Sequence, residues 1–94
     1  MYYILFYKTV ENYIERRTQY RDEHLKLAQF ALKDKKLVMA GALSAPSDGA
    51  ILIFKGNSPD VAEDFAKNDP YVKNGLIIDW CVRPWTVVIG DNLI

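Results

Sequence analysis

The chain holds a single histidine, His24. It also holds one aspartate in an unusual frame, Asp69 within "KNDPYVKNG" (Lys67 to Gly75), set directly ahead of Pro70. An imidazole's ordinary pKa of about 6.5 suits giving and taking protons near neutrality. A carboxylate beside it would orient the ring and stabilise its charged form. Two readings stand for each residue. His24 is either a general acid/base or a core histidine whose ring bonds to a backbone carbonyl. Asp69 is either its partner or the N-cap of a single turn, Pro70 to Lys73, closed by Gly75. Against the cap alone, Asp69 follows a helix C-terminus, where the dipole disfavours negative charge. A protonated histidine nearby would offset that.

Other side chains could serve such a site. Arg21 lies one helical turn before His24 and could hold an anionic group, or it is a solvated surface arginine. Tyr71 and Trp80 could wall a pocket with aromatic surface, although burial in the core is the ordinary fate of a strand tryptophan. Cys81, mid-strand between Trp80 and Val82, reads as a small core residue. There is no second histidine, no Cys-x-x-Cys, no phosphate-cradling glycine loop and no nucleophile elbow. Neither a metal nor a cofactor is therefore expected.

The elements that must position these residues follow from periodicity. Tyr2 to Tyr7 is a strand by aromatic and β-branched content. From Tyr20 the apolar residues Tyr20, Leu27, Ala28 and Ala31 recur at helical spacing, with Leu25 and Leu32 at the edge and Asp22 as candidate N-cap. His24 shares that face and so points toward the sheet. "KLVMAGAL" and "AILIFK" are strands joined by the hairpin loop "SAPSDG". Ser58-Pro59 opens a second helix, with Ser58 as N-cap and Pro59 at the first helical position. That helix ends near Asn68, because Asp69 precedes a proline and is pushed out of the α region. "GLIIDWCVRPW" is the last strand, with Pro84 at an edge or bulge. The order β-α-β-β-α-β predicts one α+β domain over residues 1–94, a ferredoxin-like fold with an antiparallel sheet.

The strands are apolar on both faces. Tyr3, Leu5 and Tyr7 oppose Ile4 and Phe6; Ala50, Leu52 and Phe54 oppose Ile51 and Ile53. Leu76, Ile78, Trp80 and Val82 oppose Ile77, Cys81 and Trp85. Two helices cover one face of a four-stranded sheet, so the other needs a cover, most simply a second copy in a face-to-face homodimer.

Composition narrows the partners. Half of the chain is hydrophobic, and twelve basic residues balance twelve acidic ones, so no overall field draws it to nucleic acid or an anionic membrane. Strand three also lacks the basic-glycine-aromatic pattern of RNA-recognition modules. "MYYILFYK" has no basic leader and is too short to span a bilayer. One cysteine allows no internal disulfide. A cytoplasmic protein is expected. The tail "GDNLI" looks loosely attached, and "TVVIGDNLI" could add an exchanged strand at a dimer edge.

Four stretches together, "RDEHL", "MAGAL", "DPYVKNG" and "VRPW", resemble the YciI-like (YCII-related) family, collinearly from the first strand to about Val88. The resemblance implies a ferredoxin-like fold whose sheets pair into a dimeric α/β barrel, similar to muconolactone isomerases and other enzymes of that superfamily. It implies an active site built on a His-Asp pair, whose histidine falls on His24, aspartate on Asp69 and arginine on Arg21. The short "SAPSDG" loop departs from the pattern where pockets are often shaped. The function expected is cofactor-independent acid–base chemistry, an isomerisation or elimination on a small cyclic or aromatic, anionic substrate. The alternative is a non-catalytic dimer that binds a small ligand in the same cleft.

Overall fold

The aromatic and β-branched N-terminal run forms β1 (Tyr2–Thr9), which pairs antiparallel on both of its edges. The computed structural model describes residues 1–91. After β1 come α1 (Tyr13–Arg16), a 3-10 turn (Arg17–Tyr20), α2 (Arg21–Lys33), β2 (Leu37–Ala42) and β3 (Gly49–Lys55). Then follow α3 (Asp60–Asn68), α4 (Pro70–Lys73) and β4 (Ile77–Trp85). The sheet order is β2-β3-β1-β4, antiparallel throughout. This is the ferredoxin-like α+β arrangement expected, with two one-turn helices added.

Alternation along the strands sorts the faces. Tyr3, Leu5 and Tyr7 of β1 and Ala50, Leu52 and Phe54 of β3 are buried under the helices, with Phe65, Ala62 and Ala66 of α3 packed on them. Ile4, Phe6, Ile51 and Ile53 point the other way and are only half-buried, and Met39 of β2 is 53% exposed. The second face is apolar and uncovered in the single chain.

Several local expectations need correction. Asp22 is not the cap of α2. Tyr20 holds that position without a side-chain bond, because α1 and the 3-10 turn lead straight into the helix and Asp22 falls inside its first turn. At α3 the cap position is Pro59, one residue later than expected, while Ser58 Oγ still accepts from Asp60 N at 3.3 Å. The register slips between Lys8 and Thr9 opposite β4, so Ile77 is buried while Ile78 is exposed, reversing their expected sides. Cys81 is exposed rather than a core residue, because it lies opposite Phe6 on the uncovered face. Pro84 does sit on an edge strand, as its missing N–H requires. Thr86 to Asp91 form no strand; the remainder of the tail lies outside the described residues.

Candidate functional site

Asp69 is where the chain's local rules and its tertiary contacts meet. Pro70 holds it in an extended conformation (φ −71°, ψ 122°), which stops α3 at Asn68. Asp69 then caps α4, with Oδ1 accepting from Tyr71 N at 3.0 Å. Gly75, at φ +74°, turns the chain out of α4 into β4 through the left-handed region open to glycine. The carboxylate so placed is 0% exposed. A buried charge without partners would be costly, and this one has three. Besides Tyr71 N, Oδ1 accepts from His24 Nδ1 at 2.8 Å, and Oδ2 accepts from the Tyr7 hydroxyl at 2.7 Å. Asp69 thus caps α4 and is hydrogen-bonded to His24 with the same oxygen.

The bond network assigns the tautomer. Tyr71 N–H and Tyr7 O–H both donate to the carboxyl group, which makes it the acceptor. Nδ1 of His24 must then carry a proton, which leaves Nε2 as the nitrogen available to a ligand. The ring is 16% exposed. It lies flat on Tyr71, with centroids 3.9 Å apart and planes 7° from parallel. Tyr71 thus holds the ring by its face while its own backbone N–H holds the carboxylate.

The three tyrosines around this pair keep their protons. Burial raises the Tyr7 pKa far above its ordinary value, and the adjacent Asp69 charge raises it further. Burial likewise raises Tyr13 and Tyr71, while the guanidiniums of Arg17 and Arg21 respectively pull them part of the way back.

His24 opens onto a cavity of about 410 Å³, within the range of small-molecule sites. Its polar lining is Tyr7, Tyr13, Arg17, Arg21, His24, Gln29 and Tyr71. The rest is mainly alkyl surface from α2, β2 and β3, including Leu25, Ala28, Leu37, Ala40 and Leu52.

Four of the five residues singled out from the sequence, His24, Asp69, Arg21 and Tyr71, come together here. Trp80 does not line the cavity. It lies opposite Tyr7 on β4, and the cavity sits over the β2–β3 half of the sheet. Sequence reasoning missed Tyr7, Tyr13 and Arg17. Tyr7 looked like one more inward strand aromatic, but a buried phenol needs a partner for its hydroxyl. Tyr13, Arg17, Arg21 and His24 are spaced by 4, 4 and 3, a helical spacing of polar side chains that a search for apolar periodicity passes over.

Among the described residues, no three His, Cys, Asp or Glu side chains cluster to hold a metal ion, and no helix is long and apolar enough to cross a membrane.

Comparison with known proteins adds three findings. The family model of the YCII-related domain matches residues 1–86. An uncharacterized protein of Haemophilus influenzae (strain ATCC 51907 / DSM 11121 / KW20 / Rd) is 30% identical over 97 residues, covering 94% of this chain and 99% of that one. Among solved structures, the chain is similar to a 5-chloro-2-hydroxyhydroquinone dehydrochlorinase (TftG) from Burkholderia phenoliruptrix AC1100, in complex with 2,5-dihydroxybenzoquinone. That match has a TM-score of 0.76 at 22% identity and covers 92% of this chain and 94% of the other. At that identity the likeness speaks for the fold.

Proposed function

Because the chain belongs to the YCII-related family, and its one histidine is bonded to a fully buried carboxylate, we propose that it is a cofactor-independent enzyme. His24 Nε2 takes a proton from, or returns one to, a small ring substrate in the adjacent cavity. Asp69 holds Nδ1–H and stabilises the imidazolium formed in the step. The observation that carries this reading is the 2.8 Å contact between His24 Nδ1 and Asp69 Oδ1. Arg21 and Tyr71 line the same space and would hold the substrate. A ring proton moved in this way leads to isomerisation, or to elimination when a leaving group departs from the neighbouring carbon. The dehydrochlorinase of like fold is in complex with 2,5-dihydroxybenzoquinone, which supports a substrate of that size.

A second copy of the chain is the other partner in this proposal. Ile4, Phe6, Ile51 and Ile53 make a contiguous apolar face with no helix on it, larger in character than a monomer usually leaves to water.

The test of catalysis is exchange in heavy water. The protein is mixed with hydroxylated rings, 2,5-dihydroxybenzoquinone among them, and loss of the ring C–H signal is followed by proton NMR. Wild type should accelerate deuterium uptake, and His24→Gln should lose about a hundredfold or more of that rate, the scale of general acid–base catalysis. A ring that binds but exchanges no faster with wild type than with His24→Gln would leave a ligand-binding module instead.

A further inference from the structure

The hydroxyl of Tyr71 is the one unexplained group in the site. The residue is 1% exposed, yet its Oη has no hydrogen-bond partner among the described residues. Leaving a buried hydroxyl unpaired costs free energy, and Tyr71 lines the cavity. The Arg21 guanidinium lies beside this hydroxyl and lowers its pKa, but a guanidinium offers only donors, so the hydroxyl's own proton finds no acceptor there. Arg17 lines the same space, its guanidinium carbon 5.2 Å from the Tyr13 ring centroid. That ring in turn meets Tyr71 edge-on, with centroids 5.8 Å apart. Among the described residues neither arginine forms a salt bridge with a carboxylate; the one salt bridge present joins His24 and Asp69. The negative charge of Asp69 is fully buried and already accepts three hydrogen bonds. The cavity therefore presents two guanidiniums and a spare phenolic O–H beside His24, and alkyl surface beyond them.

We infer that Arg17, Arg21 and the Tyr71 hydroxyl form a seat for an ionised oxygen on the ligand, so that the site selects a planar ring bearing a carboxylate or phenolate over its neutral counterpart. The arginines supply charge, planar donors suited to an oxyanion, and no competing acceptor. The Tyr71 hydroxyl gains the partner it lacks by donating to the same oxygen group. The ring then lies on the alkyl wall formed by Ala28, Ala40 and Leu52. This inference leans on the proposed function only in taking the cavity for the ligand site, and it makes a separate claim about charge.

Calorimetric binding to the whole chain tests it with two matched pairs, benzoate against benzamide and 4-nitrophenolate against nitrobenzene. Wild type should prefer the ion in at least one pair by about tenfold or more, the worth of a charged hydrogen bond, and the pair that shows it names the oxyanion. Arg17→Gln, Arg21→Gln and Tyr71→Phe should each lose most of that preference. The arginines sit at the periphery and Tyr71→Phe keeps the ring stack, so far-UV circular dichroism should match wild type. In His24→Gln the preference should persist, and it can do so whether or not deuterium exchange is ever seen. No preference in either pair would overturn the seat. So would a preference that survives all three substitutions, or one that vanishes in His24→Gln and so belongs to the imidazole.

Discussion

Tyr7→Phe removes a buried hydroxyl that donates to Asp69 Oδ2 at 2.7 Å, and its effect should depend on whether Asp69 is present. A hydrogen bond to a charged group contributes roughly 1.5–3 kcal/mol. Asp69 is 0% exposed, so water does not replace the lost donor, and Tyr7→Phe should cost about 2–3 kcal/mol. Asp69→Ala leaves two buried donors, the Tyr7 hydroxyl and Tyr71 N–H, without acceptors at roughly 1–3 kcal/mol each. His24, being 16% exposed, can turn its Nδ1 toward solvent and adds little. In that background the Tyr7 hydroxyl is itself an unsatisfied group. Tyr7→Phe should then be neutral, or stabilising by up to about 1 kcal/mol. The coupling between the two residues is thus at least about 2 kcal/mol. Urea unfolding of wild type, both single variants and the double variant measures it. All four must be held at one chain concentration, because a self-associating chain has concentration-dependent stability. Equal costs for Tyr7→Phe in the two backgrounds would refute the three-donor picture of Asp69.

Alkaline pH should destabilise the protein through the same hydroxyl. The folded chain holds the Tyr7 proton well above a tyrosine's ordinary pKa, so this contribution is complete below about pH 10 and is lost as pH rises further, by about 1.4 kcal/mol per pH unit. Urea midpoints measured across that range should fall less steeply in Tyr7→Phe than in wild type; parallel curves would count against it. Light scattering at micromolar concentration should give about twice the 10.8 kDa chain mass. Ile53→Asp, on the uncovered sheet face, should return the mass to that of one chain. A wild-type monomer would leave that face without its proposed cover.

Some of this was open to sequence reasoning and some was not, for physical reasons. Strand order and helix placement follow from local signals: β-branched runs, Ser58-Pro59, and Asp69 ahead of Pro70. That Asp69 would end one helix and cap the next is a consequence of proline sterics within a few residues. Its bond to His24 spans 45 residues of chain, and no periodicity encodes such a distance, so the residues alone left the pairing as one of two readings and the family resemblance favoured it. Tyr7 was hidden because an inward tyrosine on an apolar strand looks the same whether or not its hydroxyl has work to do. Ile78 was misplaced because a one-residue register slip at Lys8/Thr9 reverses the faces of β4 beyond it, whereas Cys81 keeps its register and is exposed because its face of the sheet carries no helix. The Tyr13–Arg17–Arg21–His24 face was hidden differently. Its residues are split across α1, a 3-10 turn and α2, and their polarity hid a stripe that apolar periodicity alone does not detect.

The proton on the His24 ring is the most direct point of test, and a single histidine makes it readable without assignment. Long-range proton–nitrogen NMR, recorded on the alkaline side of the ring's titration, reports which nitrogen is protonated. Donation to Asp69 predicts Nδ1–H, with the lone pair on Nε2 free at the cavity, and loss of that preference in Asp69→Ala. A ring protonated at Nε2 and indifferent to Asp69→Ala would contradict the pairing of these two residues, and with it the proposed proton transfer.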